Sequence, residues 1–348
     1  MKFTKRNKVI VLVFCAIVSL LIGLSVGGAS VPFPDIFHVV RYQLFGGELP
    51  EEMARTTPGL IWNIRLPRVL LSFIVGAALA VSGSVIQSVL KNPLASSYTL
   101  GVSAGAGLGA VVMIVFGISS TILGMFLMPA VSVIFGMATI FLSIWLASRV
   151  DRSLGNYTIV LIGMILSVFI NAVMMTLASM NSHHAQQIAR WQLGSFSLRG
   201  WPVVGIVFSV TVAIVLILIR YAREMDVLTF GDEQAAAIGI DVKKTKWLLI
   251  ILSSMLTSVS VAFVGVVGFV DLIAPHVVRR FFGSSHKYVV PLSALFGGIF
   301  MLLADLIART IIAPSEIPVG SVTALIGAPF FAYIFLKNSN RSRRGKAC

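Results

Sequence analysis

Charge is scarce in this sequence. Only 11% of its 348 residues are Asp, Glu, Lys or Arg, against about a quarter in water-soluble domains. A single soluble core cannot hide a chain that is 57% hydrophobic, so its solvent is expected to be lipid. Acids are the scarcer sign, 13 against 27 bases, and the net charge is +14. In a soluble protein that excess would point to nucleic acid. Here the bases cluster between apolar runs, which is a signature of membrane topology, and no nucleic-acid partner is expected. Cysteine is almost missing. Cys15 in an apolar run and the terminal Cys348 make neither a disulfide framework nor a metal-ligand spacing. Catalytic motifs are missing as well: there is no HExxH, no Cys/His cluster and no GxSxG. The Gly-rich stretch GVSAGAGLGA at 101–110 lacks the Lys-Ser/Thr of a P-loop, and its glycines run GxGxG. It reads as small residues that let helices pack closely. No cofactor, metal or ATP site is therefore expected on this chain, and any ATP-driven step needs another subunit.

What is present is a series of long apolar runs. Hydropathy and length give ten candidate helices, at about 8–28, 66–90, 101–118, 125–148, 157–179, 201–221, 246–266, 268–282, 289–312 and 318–337. The first run is longer than a signal-peptide core and reads as a retained helix. With the N-terminus inside, only Arg41, Arg55, Arg65, Arg68, Arg190, Arg199 and Arg309 fall outside, and twenty of the twenty-seven bases fall inside. That bias places both termini in the cytoplasm and favours an even number of spans. Residues 31–64, with four prolines, read as an irregular outer loop. Residues 180–200 read as a short surface helix, with Trp191 and Trp201 at headgroup depth.

Four groups of residues and one lone acid stand out. Arg65 and Arg68 lie one helical turn apart at the outer mouth of the second span, and Arg309 ends the ninth on the same side. Guanidinium forks there suit carboxylates, although snorkelling at the interface would account for them too. Gly76, Ala80, Gly83 and Gln87, spaced four, three and four, share one helix face. They form either a close-packing seam or the wall of a wide pathway. Asp305 and Arg309, four apart with the acid first, suit a helical ion pair. Asp271 is a lone acid in an apolar stretch. The fourth group is GDEQAAAIGIDVKK at 231–244, a polar, Ala-rich helix pattern between basic clusters and too polar to span a membrane.

Taken together, RLPRVLLSFIVGAALAVSGSVIQSVLKNPLASSYTLGVSAGA, GSFS…W, GDEQAAAIGI, GFVDLIAPHVVRR and LLADLIAR…EIPVGSVTALIGAPFFAYIFLK resemble the permease subunits of ABC importers for iron–siderophore, haem and cobalamin, the FecCD family. The motifs run in family order over nearly the whole chain. The resemblance implies an all-α integral membrane fold of about ten transmembrane helices, like the cobalamin permease of a type II importer, as a single domain over 1–348. It implies cytoplasmic coupling helices at 228–241 that dock into the ATPase subunit, with Gly231, Glu233, Ala236, Ala237, Gly239 and Ile240 in contact. It assigns Arg65, Arg68 and Arg309 to docking of a substrate-binding protein through that partner's glutamates, and places an inner gate near Asn156 and Tyr157. Asp271 departs from the family pattern, where glycine is expected. The partners implied are two ATPase subunits, a second permease subunit, an extracytoplasmic binding protein and the lipid bilayer. The implied function is import across the cytoplasmic membrane by alternating access, most often of ferric siderophores, with haem or cobalamin as alternatives. An ion-coupled secondary transporter is the competing class. It would need intramembrane titratable sites.

Overall fold

A computed structural model describes residues 4–28, 30–51, 53–118, 124–151 and 155–344, and among them every regular element is helical. The side chains of 124–125 and 334–344 are not part of that description. Of the bases used to orient the chain, Lys2, Arg152 and Lys346 lie outside the described residues, as do the side chains of Lys337, Arg341, Arg343 and Arg344.

Seven helices are long and apolar enough to cross a membrane. They are α1 (Lys5–Ser25), α4 (Leu66–Val89, continuous with α3 (Thr57–Gly59) through a π-helical turn over Leu60–Arg65), α6 (Gly124–Val150), α7 (Asn156–Met180), α9 (Gly200–Arg220), α12 (Val242–Val264) and α14 (His286–Thr310). The other three expected spans are shorter. α5 (Val102–Val115) has 14 residues and α13 (Val270–Phe282) has 13. α15 (Val319–Arg344) is apolar over Val319–Tyr333. Thirteen residues reach only about 20 Å, so α13 is a short helix, and the irregular segment 265–269 precedes it on the way back across the bundle. Asp271, His276, Arg279 and Arg280 make it amphipathic. Between the spans lie α2 (Phe33–Phe45), α8 (Ala185–Gln192), α10 (Ala222–Leu228) and α11 (Asp232–Ala237). The segment expected as an irregular loop thus contains a helix, α2. Pro34 at its start, Asp35 in its first turn, and Ile36 and Val39 buried three apart are the signals for it.

The hub is α4, nineteen of whose 24 residues are buried. Its apolar side chains join a core formed with α9, α12, α13 and α14. The residues that let those helices close in are Gly76 and Gly83. A methyl group at Gly76 would sit 2.2 Å from the Gly297 carbonyl oxygen of α14, and one at Gly83 would sit 1.9 Å from that of Asp271 in α13. With no lipid-driven preference for helix against helix, van der Waals contact at such approaches is what holds spans together.

The short helices α5 and α13 begin inside the bundle. After α4 the chain turns back as residues 92–101. The Ser97 hydroxyl meets the Ser82 hydroxyl at 2.6 Å, about two turns before the end of α4, before α5 starts at Val102. After α12 the segment 265–269 turns likewise into α13. The two turns meet, since Tyr98 Oη donates to the Val267 carbonyl (2.6 Å) and Ser96 Oγ donates to the Asp271 carboxylate. Irregular backbone at such depth is tolerated where protein covers it or where it lines a cavity. Phe269, between the turns, holds φ +70°, a left-handed conformation unusual for a bulky residue. Its ring packs against Gly327 of α15, where any side chain would collide with it.

Candidate functional site

The polar segment that stood out in the sequence folds into two short helices. Two short helices, α10 and α11, occupy the region expected at 228–241, and the pair begins six residues earlier, at Ala222. Gly231 joins them with φ 155° and ψ 157°, a region essentially reserved for glycine. Gly239 at φ +89° ends α11. Ala235 is fully buried and anchors α11, while Glu233, Ala236, Ala237 and Gly239 are exposed and Ile240 is half-buried. Two large apolar side chains flank the small ones, Phe230 at 79% exposure and Ile238 at 66%. The result is a knob: a firm base, a tip of methyl groups, and an apolar residue on each side.

Two polar tethers hold the knob to the bundle. Beneath α11, Asp232 bridges Lys91 (2.8 Å), just past the end of α4, and Lys246 (2.6 Å) in the first turns of α12. The Lys246 ammonium, on a side chain only 2% exposed, also donates to Asn156 Oδ1 at the start of α7 (3.1 Å). Burial alone would raise the Asp232 carboxyl, but the hydrogen bonds and charges of Lys246 and Lys91 outweigh it and hold the group below its ordinary value. Beneath α10, Asp226 accepts from the His286 backbone N–H (2.8 Å), from His286 Nδ1 (2.5 Å) and from Ser285 Oγ (3.1 Å). His286 Nε2 meets the Ser88 hydroxyl of α4, which also receives Arg279 of α13 (3.3 Å). Arg279 in turn donates to Gln87 Oε1, and Gln87 Nε2 donates to the Asp271 carbonyl (3.2 Å). The first tether reaches α4, α12 and α7. The second reaches α4, α13 and α14. Asn156, singled out as part of an inner gate, is therefore tied to the knob through Lys246, while its neighbour Tyr157 is exposed.

At the opposite end the three arginines are largely buried. Arg65 is only 4% exposed and donates to the Leu24 and Ser25 carbonyls (2.8 and 2.9 Å). Arg309, 7% exposed, donates to the Gly23 carbonyl. These are the last carbonyls of α1, the orphan acceptors of its negative end, and two guanidinium groups cap them. Arg68 is committed differently. Its Nε and Nη2 fork onto Asp305 (2.8–3.1 Å), and its Nη1 reaches Glu316 (2.7 Å) and Ser197 Oγ (3.1 Å). Asp305 is thus chiefly the partner of Arg68. Its own-helix neighbour Arg309 stands 3.7 Å away, a looser pair than the i,i+4 spacing suggested. Burial would raise the Glu316 carboxyl, but its bonds to Arg68 and Ser197 bring it below its ordinary value. This chain supplies acceptors to all three guanidinium groups, as a buried charge requires.

Gly76, Ala80, Gly83 and Gln87 are all buried against α13 and α14. They form a packing seam along α4.

Sequence reasoning missed Lys91, Asp226, Lys246, Arg279 and His286. The bases among them read as interfacial charges, and their partners lie up to 198 residues away, so no local spacing could have paired them.

Against known proteins, the model of the FecCD transport family matches residues 15–337. An uncharacterized ABC transporter permease, YvrB of Bacillus subtilis, is 39% identical, covering 94% of this chain and 92% of that one. The cobalamin import permease BtuC of Halobacterium salinarum is 37% identical over 88% and 80%. Other relatives are named as permeases for hemin, iron(3+)-hydroxamate, Fe(3+)-citrate and molybdate. A solved structure described as an inward-facing metal-chelate type ABC transporter superposes with a TM-score of 0.82 at 29% identity, covering 95% of this chain and 99% of that one.

Proposed function

Because the chain belongs to the FecCD transport family, we propose that it is the permease of an ATP-driven importer carrying ferric siderophore chelates across the cytoplasmic membrane. It works as one domain, paired with a second permease, identical or homologous. Two ATPase subunits dock on the lysine-rich end, which faces the cytoplasm, and a binding protein delivers cargo at the arginine end, which faces out. Hydrolysis belongs to the ATPase subunits and this chain supplies the path. The exposed cations of the outer end, Arg41, Arg55 and Arg190, are available to steer a negatively charged partner, an effect that weakens with salt.

One observation carries the reading: a small-residue knob, exposed at its tip, is bolted by ionic and hydrogen-bonded tethers to five helices. A solvated loop has no use for such a base. A rigid knob can take a push from a partner and pass it to elements that have two arrangements. Siderophore cargo is favoured by the relatives named for iron chelates.

Two measurements test this. In cells that have this permease as their sole member of the family, deletion is expected to abolish uptake of at least one labelled iron chelate, and unchanged uptake of every chelate offered would sink the proposal. Replacing exposed Ala237 with Arg is expected to leave the protein's level in the membrane unchanged and to lower uptake at least tenfold, because a long charged side chain on the tip keeps the ATPase off. Uptake within twofold of wild type would remove α11 from the contact.

A further inference from the structure

The two turns that meet inside the bundle border a cavity of about 460 Å³, of a size that suits a small-molecule ligand. Its walls include Tyr98, Ser103, Asn171, Met174, Trp191 and Gln192, drawn from the turn at 92–101 and from α5, α7 and α8. Its charge is as informative as its shape. Between Asn92 and Ser148, and again between Ser153 and Ala189, the sequence has no Asp, Glu, Lys or Arg. None of the lining residues is charged. Asp271, the acid closest to the turns, is buried and receives Ser96. Arg190, next to Trp191, is exposed on α8 and does not line the cavity.

What the walls do offer is neutral. The side-chain amides of Asn171 and Gln192 and the indole N–H of Trp191 have no protein partner among the described residues. The first turn of α5, which contributes Ser103 and Ala104 to the wall, adds backbone N–H groups and a partial positive potential. Amide donors and a partial charge suit carbonyl-type oxygens. With no cationic side chain among the lining residues, the wall offers a multiply charged anion no ion-pair partner. Thioethers and an indole face cover aliphatic or macrocyclic bulk.

We infer that this cavity is a cargo subsite for chelates of zero net charge that present amide- or hydroxamate-type oxygens, and that it disfavours multiply anionic chelates and oxyanions. This rests on the permease reading above and narrows the cargo within it.

The test uses the purified full chain in lipid nanodiscs, with tryptophan fluorescence as the signal. The probes are a neutral ferric trihydroxamate, neutral cyanocobalamin and a trianionic ferric tricatecholate. At least one neutral probe is expected to give a saturable change at a concentration at least tenfold below the tricatecholate. Trp191→Phe should remove the saturable part. Gln192→Arg, on the short exposed helix, should narrow the neutral-over-anionic preference at least tenfold, and Asn171→Arg should do the same from the other wall. Equal response to the tricatecholate, no saturable response to any probe, or a response that survives Trp191→Phe would each overturn the subsite. The uptake experiment above is independent of it: chelate uptake without binding in this cavity would end this inference and leave the permease reading standing.

Discussion

Replacing Arg68 with glutamate is expected to abolish the folded protein, not to weaken a contact at its surface. The guanidinium holds Asp305 and Glu316 together, and the Asp305 side chain is only 2% exposed. Removing one partner of a buried ion pair costs roughly 3–5 kcal/mol, since the other charge is left without compensation. That is a large share of the ~5–15 kcal/mol that holds a typical domain folded. Glutamate goes further, because it places a third carboxylate against the two already there. Arg68→Glu should therefore vanish from the membrane fraction, and Arg68→Ala should fall well below wild type. The double variant Arg68→Ala with Asp305→Ala should recover part of the loss, because it removes the orphaned charge. Membrane-fraction immunoblots with thermal melts of the detergent-solubilised protein provide the measurement. An Arg68→Glu protein that accumulates and melts like wild type, yet loses only a binding-protein interaction, would point to the docking role instead.

The second large effect is at Lys246. Methionine there keeps the length and apolar bulk of the stem but removes the charge that joins Asp232 to Asn156. Asp232 keeps Lys91, on a bond at the surface, so the knob stays folded. Its link to α7 is cut. The expected result is a protein at normal level with uptake reduced at least tenfold. Asp232→Asn should share the defect in milder form, since its amide can still accept from one lysine. Unimpaired uptake in Lys246→Met would show that motion reaches α7 by another route. Acid offers a check of sign. The Asp232 pKa is depressed in the folded protein, so the tether's contribution is complete above the ordinary carboxylate value of ~3.9 and is lost only as pH falls through the lower folded value. Uptake changes between pH 6 and 8 therefore cannot be assigned to the Asp232 carboxylate.

Much of the architecture was legible before any coordinates. Long apolar runs gave the seven spans within a few residues, because the helix is the only open-ended element that satisfies its own backbone in lipid. The Ala-rich polar segment after α9 was legible as a helix for the same reason that its tip is now exposed: nothing in it needs burial except Ala235. The shortness of α13 was not legible because hydropathy averages over a window. A short helix flanked by apolar chain scores much like a whole one, and only its four ionisable residues gave warning. α2 was missed because four prolines in 31–64 suggested loop, although Pro34 sits at a helix start, where its missing N–H costs nothing.

The roles of the charged residues divide along the same line. That this chain lives in a membrane, spans it with helices, and carries a polar knob between two of them followed from composition and periodicity alone, since both are local properties set by lipid and by the helix repeat. Which side chain meets which is not local. Gly76 and Gly83 fitted a seam somewhat better than a wall, and only the closed bundle shows Gly297 and the Asp271 backbone against them. Arg65, Arg68 and Arg309 fitted an outward-facing set until the end of α1, Asp305 and Glu316 were found to take them up. Lys246 looked like any lysine at a membrane surface until it proved to be buried between Asp232 and Asn156. In each case the deciding contact joins segments far apart in the chain, and a one-dimensional pattern carries no record of a distance that only the closing of the bundle creates.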